Sequence, residues 1–178
     1  MYKRQAQNGL DISYTEADYL EYQPEGEFDL ITMIMCDYCA LSPTQRAAML
    51  VKFNELLLDG GRIVLDVYSL NAFADKKEES IYEKNQLNGF WSAEPYYGFV
   101  SSFKYDQEMV SLDKYTIIER NRQREVFNWL QYFTPESLEQ EASAAGLEID
   151  EVYGDVAGKQ YDSGAMEFAV VMRTALGK

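Results

Sequence analysis

Two nearly uninterrupted apolar runs constrain this chain more than any other feature. Phe28 to Met35 reads Phe-Asp-Leu-Ile-Thr-Met-Ile-Met, and Arg62 to Val67 reads Arg-Ile-Val-Leu-Asp-Val. Such runs lack polar alternation, as do strands covered on both faces of a parallel sheet. Between them, Ser42-Pro43-Thr44-Gln45 opens a helix. Ser42 caps it, Pro43 fits the first helical position and Gln45 completes a capping box. Met49, Leu50, Phe53, Leu56 and Leu57 give this helix one apolar face. Gly60-Gly61 reads as its stop. Strand, helix and strand in this order predict a βαβ unit in an α/β fold.

The rest of the chain extends this pattern without repeats or an internal linker, which predicts one domain over residues 1–178. Tyr2 to Gln7 reads as the tail of a helix stopped by Asn8-Gly9, and Ile12 to Ala17 as a short strand ending at Asp18. Residues 70–98 are irregular and aromatic-rich, with a charge cluster at Asp75 to Glu79 that reads as solvated helix or loop. Phe99 to Tyr105, Met109 to Glu119 and Glu125 to Phe133 form an antiparallel meander joined by short polar turns. Thr134-Pro135-Glu136 starts another helix, stopped at Gly146. Leu147 to Tyr153 and Ala165 to Thr174 read as a closing antiparallel pair.

Charge and residue content narrow the chemistry. A net charge of −14 argues against nucleic acid and anionic membrane surfaces as partners, because phosphate binding needs clustered Lys and Arg. No apolar run reaches the ~18 residues that span a bilayer. The chain contains no histidine, which excludes Ser-His-Asp and Cys-His catalysis within it. Cys36 and Cys39 stand in Cys-Asp-Tyr-Cys. This spacing occurs in redox dithiols and half zinc sites, but the zinc reading lacks two further Cys or His ligands. Two buried or pocket-lining thiols are the preferred reading, no metal site is expected, and reduced thiols fit a cytoplasmic protein.

Asp18, Asp37 and Asp66 fall at the carboxyl ends of the three proposed parallel strands. In open α/β sheets, ligands bind in the crevice beyond those ends, and a carboxylate there accepts hydrogen bonds from a ligand amine or hydroxyl. The competing reading is that each Asp caps the turn or helix that follows.

Several motifs together resemble class I S-adenosylmethionine (SAM)-dependent methyltransferases of the small-molecule type. Asn8-Gly9-Leu10-Asp11-Ile12 with Glu16-Ala17-Asp18-Tyr19 resembles the family's third-strand segment. Phe28-Asp29-Leu30-Ile31 leading to Cys36-Asp37 resembles its fourth strand. Leu58-Asp59-Gly60-Gly61-Arg62-Ile63-Val64-Leu65-Asp66 resembles its fifth. Phe133-Thr134-Pro135-Glu136-Ser137-Leu138 with Ala145-Gly146-Leu147 resembles a late helix element. The resemblance implies a Rossmann-like methyltransferase sheet with an antiparallel meander insert, about residues 70–133, over the acceptor side. It implies SAM as the cofactor of the full-length form and a small-molecule methyl acceptor. Asp18 and Tyr19 would border the adenine, and Met35, Cys36 and Asp37 the methionine part. Tyr38, Cys39, Tyr68, Trp91 and Tyr97 would face the acceptor, with Tyr96 beside them. No catalytic residue is implied, since the transfer needs positioning more than a base.

The departure from the pattern is at the amino end. The family's Gly-x-Gly-x-Gly-type loop and its ribose-holding acidic residue have no counterpart in the sequence. The resemblance therefore implies an N-terminally truncated domain that is poorly active or inactive alone. The alternative is a non-enzymatic binding or assembly module that dimerises or takes the SAM-binding half from a partner. Losing those strands would bare one edge of the Phe28–Met35 strand. Either Ile12 to Ala17 docks beside it, or two chains form a homodimer through the exposed sheet edge.

Overall fold

The computed structural model describes residues 9–175. The helix tail expected over 2–7 lies outside them. Among the described residues the strands form two four-stranded sheets. The first contains β1 (Phe28–Met33), β2 (Leu57–Tyr68), β7 (Leu147–Tyr153) and β8 (Glu167–Thr174), in the order β1-β2-β8-β7. β1 and β2 are parallel, with Leu30 opposite Arg62 and Met33 opposite Leu65, whereas β8 runs antiparallel to both its neighbours. Helix α1 (Pro43–Leu56) makes the crossover from β1 to β2, as the two apolar runs predict. Its capping box forms as read: Ser42 Oγ accepts from the Gln45 amide, and the Gln45 side chain accepts from the Ser42 amide.

The core lies between this sheet and α1 with α3 (Pro135–Ala144). Ile63, Leu65 and Val67 of β2, Val170 and Met172 of β8, Leu50 of α1 and Leu138 of α3 are fully buried. Each such side chain contributes about 1.5–3 kcal/mol by leaving water. Arg46 of α1 is buried among them without being unpaired. Its guanidinium donates to both carboxylate oxygens of Glu141 on α3 at 2.8–3.1 Å and to the Leu41 carbonyl at 2.8 Å.

The second sheet is a meander in chain order: β3 (Glu79–Lys84), β4 (Tyr97–Tyr105), β5 (Val110–Ile118) and β6 (Gln123–Gln131). Helix α2 (Leu70–Asp75) leads into it. The two sheets meet where Ser69 bridges Phe133 and the Phe133 amide donates to the Tyr68 carbonyl. Under the junction, Lys76 Nζ reaches buried Asp113 at 2.7 Å, and Asp113 also accepts from Ser102.

Three expectations fail. Ile12 to Ala17 is not a strand, and Leu10, Ile12 and Tyr14 are exposed. No strand among the described residues pairs with the outer edge of β1, and Phe28 and Leu30 are exposed. Finally, α1 ends at Leu56 rather than at Gly60-Gly61. Leu57 already pairs with Phe28, and the intervening residues form a bulge before Arg62 resumes the ladder. Gly61 is needed there, since a Cβ would sit 2.9 Å from the Leu57 side chain and the Leu58 carbonyl.

Candidate ligand-binding rim

The carboxyl ends of β1 and β2 lie side by side, and the chain leaving β1 must turn sharply there. It does so through two consecutive non-glycine residues in the left-handed region, Met35 (φ 75°) and Cys36 (φ 56°). Each costs about 1–2 kcal/mol in that conformation. Consecutive amides in such a turn point into one concavity, which suits an anion. Asp66 of β2 fills it, accepting from the Cys36 amide at 2.9 Å and the Met35 amide at 3.3 Å. Asp66, read from the sequence as facing the crevice, thus has its carboxylate engaged by backbone.

The turn splits the expected site residues between rim and core. Met35 is 80% exposed and Asp37 is exposed, whereas Cys36, Tyr38 and Cys39 are buried. Tyr38 donates its hydroxyl to Glu141 at 2.6 Å and packs its ring against Phe133. Tyr38 therefore belongs to the core and does not present its side chain to an acceptor, whereas Cys39, though buried, lines a second cavity with Arg46, Val110 and Trp129. Burial, then the Glu141 carboxylate, pushes the Tyr38 hydroxyl far above the usual phenol range. Cys39 Sγ accepts from the Tyr68 amide at 3.3 Å. A hydrogen bond with Cys39, followed by burial, likewise raises the Cys36 thiol far above its usual value. That is the opposite of a reactive redox thiol. In the native protein at pH 8, neither cysteine should react with Ellman's reagent within minutes, while both should in 6 M guanidinium. Two fast native thiols would contradict this placement.

On the other side of the turn, a cavity of 530 Å³ opens between β1 and α1. Tyr19, Thr32, Met33, Asp37 and Lys52 are among its lining residues. Asp18 does what the competing reading proposed: its carboxylate caps a turn by accepting from the Leu20 amide at 2.9 Å. The Tyr19 hydroxyl is raised, first by burial and then by the carboxylates of Asp37 and Asp18. Lys52 Nζ holds this segment to α1, donating to the Tyr19 carbonyl at 2.9 Å and to the Tyr22 carbonyl. Sequence reasoning missed Lys52, and its partners are backbone carbonyls that no motif marks.

The aromatic residues assigned to the acceptor do not converge. Tyr68 sits at the end of β2, in ring contact with Tyr132 at 6.0 Å. Trp91 lies against Tyr115, under the Arg124 guanidinium, while Tyr97 is exposed on the far face of the meander beside Lys84 and Ile118. Tyr96 is buried and donates its hydroxyl to the Gln86 carbonyl. Among the described residues, no group of three or more His, Cys, Asp or Glu is placed to hold a metal ion, and no helix is long and apolar enough to cross a membrane.

No protein-family model and no curated protein matches the sequence. Solved structures do match the fold. A SAM-dependent methyltransferase from Clostridium acetobutylicum superposes with a TM-score of 0.70 at 12% identity, covering 98% of this chain and 69% of that one. The CcbJ methyltransferase from Streptomyces caelestis gives 0.64 at 16%, covering 89% and 62%. The sugar N-methyltransferase KedS8 from Streptoalloteichus gives 0.56 at 18%, covering 94% and 66%. The chain thus spans about two thirds of the length of these structures. What the likeness establishes is architecture: this chain has the class I methyltransferase fold, with its antiparallel meander, over the part of those enzymes it covers.

Proposed function

We propose that this chain forms part of a SAM-dependent methyltransferase for a small molecule, contributing one wall of the cofactor site. The observation that carries this reading is the rim itself. Two parallel strands end together, a clamped turn presents Met35 and Asp37, and Tyr19 stands with Asp37 at an apolar cavity. The residues fit the nucleoside end of SAM. Asp37 offers an acceptor for an exocyclic amine, Tyr19 offers a ring face, and Met33 and Phe53 an apolar floor. Asp66 keeps the turn in place without meeting the ligand. When bound, SAM would supply a methyl group already on a good leaving group. What the chain must do is hold the acceptor in line and exclude water. No general base is required of it.

The same geometry makes the site incomplete. The β1 edge leaves Leu30, Ile34 and Met35 in solvent, and the sequence contains no Gly-x-Gly loop. Sites for drug-sized ligands enclose about 70–90% of the ligand surface, and an open wall forfeits much of that contact. Calorimetric titration of the chain with SAM should therefore give a dissociation constant weaker than about 100 µM. Low-micromolar affinity would contradict the incomplete site.

The bare β1 edge supports a second reading, an assembly module whose partner adds a strand there. A rim that shows no response to millimolar SAM would favour it.

A further inference from the structure

We propose that this chain self-associates face to face through the outer surface of its meander. The register of the ladder settles which side chains share that surface. Tyr82 of β3 stands opposite Phe99 of β4. Phe103 stands opposite Leu112 of β5, and Leu112 opposite Trp129 of β6. Tyr105 and Phe127 occupy the same face. The inner face is used by the chain itself, against Phe73, Lys76 and Trp91. The outer face is largely open: only its Val110, Trp129 and Gln131 end borders the 39–46 segment, across a cavity, while Tyr82 is 72% exposed, Phe127 51% and Trp129 45%. The rings are pre-ordered: Tyr82 stacks on Phe99 at 5.6 Å, and Tyr105 meets Trp129 at 5.5 Å. A contiguous aromatic surface of this extent marks an interaction site.

Charge and area identify the occupant. The chain carries −14 overall, but the strand residues of this face include only Lys84, Lys114 and Glu125 as charged groups, which leaves +1. Lys114 and Glu125 neutralise each other at 2.7 Å, with Lys114 Nζ lying over Phe127. Two molecules of charge −14 repel across most of their surfaces, and here each brings a single carboxylate, Glu125, already paired with Lys114. An acidic or a basic partner finds little to pair with, whereas a second copy finds its own apolar rings. Four strands about 4.8 Å apart and about 30 Å long cover roughly 600 Å² in projection, and more in accessible area. Two such faces bury roughly 1,200–1,600 Å², the size of a stable interface. Stacked at about 10 Å, the two meanders form a sandwich about a two-fold axis.

Sedimentation velocity of the full chain at 5–200 µM tests this. The expected species has twice the 20.5 kDa chain mass. Phe127→Glu with Trp129→Glu should weaken association at least about a hundredfold, as loss of two central aromatics does. Tyr82→Lys with Phe99→Lys should do the same from the other side of the face. All four positions are exposed, so far-UV dichroism and melting temperature should stay those of the parent, and whichever pair keeps them decides the test. Leu30→Lys on the β1 edge should leave the dimer intact. A monomer at 200 µM overturns the proposal. So does a dimer that survives both double substitutions, one dispersed by Leu30→Lys, or a different protein co-purifying on this face in place of a second copy.

Discussion

Glu141→Ala is expected to lower the unfolding free energy by about 3–4 kcal/mol, which for a chain of this size is a fall of roughly 10 °C in melting temperature. The loss would come from two buried groups that share this acceptor. Arg46 is 4% exposed and spends three donor contacts on the Glu141 carboxylate at 2.8–3.1 Å. Tyr38 is fully buried, and its hydroxyl has the same carboxylate as acceptor at 2.6 Å. Without Glu141, the phenol has no acceptor and the guanidinium keeps only the Leu41 carbonyl, and breaking a buried pair costs more than the pair was worth. Glu141 itself is 30% exposed, so water moderates the penalty and the lower end of the range is the better figure. Glu141→Gln keeps an acceptor for Tyr38 but turns an amide toward Arg46, and should cost about half as much. Urea unfolding at unchanged slope is the measurement. A loss under 1 kcal/mol would mean that α1 and α3 are not tied through this pair.

Asp66→Asn is expected to cost about 2–3 kcal/mol and to loosen the rim selectively. Its carboxylate accepts from two amides, Met35 and Cys36, whose backbones are both held in a conformation that non-glycine residues resist. An asparagine offers one acceptor and turns a donor toward the second amide. The left-handed turn then lacks the anion that holds it, and the strand-to-helix passage opens. Hydrogen exchange at the Met35 and Cys36 amides should accelerate more than tenfold, while amides in β8 keep their protection relative to the global stability. Uniform acceleration across both sheets would assign Asp66 to general stability and not to the turn.

These two residues also show how far the sequence could be read. The apolar run at 28–35 and the Ser42–Gln45 box located β1 and α1, because burial on both faces and helix capping leave local signatures. The polar turns of the meander located β4 to β6 for the same reason. β3 was illegible: Glu79–Lys84 is exposed along its whole length, so no apolar periodicity records it, and its charges suit an edge strand. Ile12 to Ala17 alternates like a strand, but a strand exists only with a ladder partner, and β1 offers its edge to none of the described residues. Asp37 and Tyr19 line one cavity, although the strand expected to carry Tyr19 to that rim does not form. The role of Asp66 could not be seen, since it depends on positive φ at Met35 and Cys36, which are not glycines. Tyr38 and Cys39 follow the strand end by one helical turn, and that turn points them inward.

The most direct test of the proposed cofactor rim is an amide chemical-shift titration of the chain with SAM up to several millimolar. The expected result is saturable shifts confined to residues 18–19 and 35–37 around the cavity, with the meander outer face silent. Shifts absent from that rim, or centred on Trp91 and Tyr97, would contradict it.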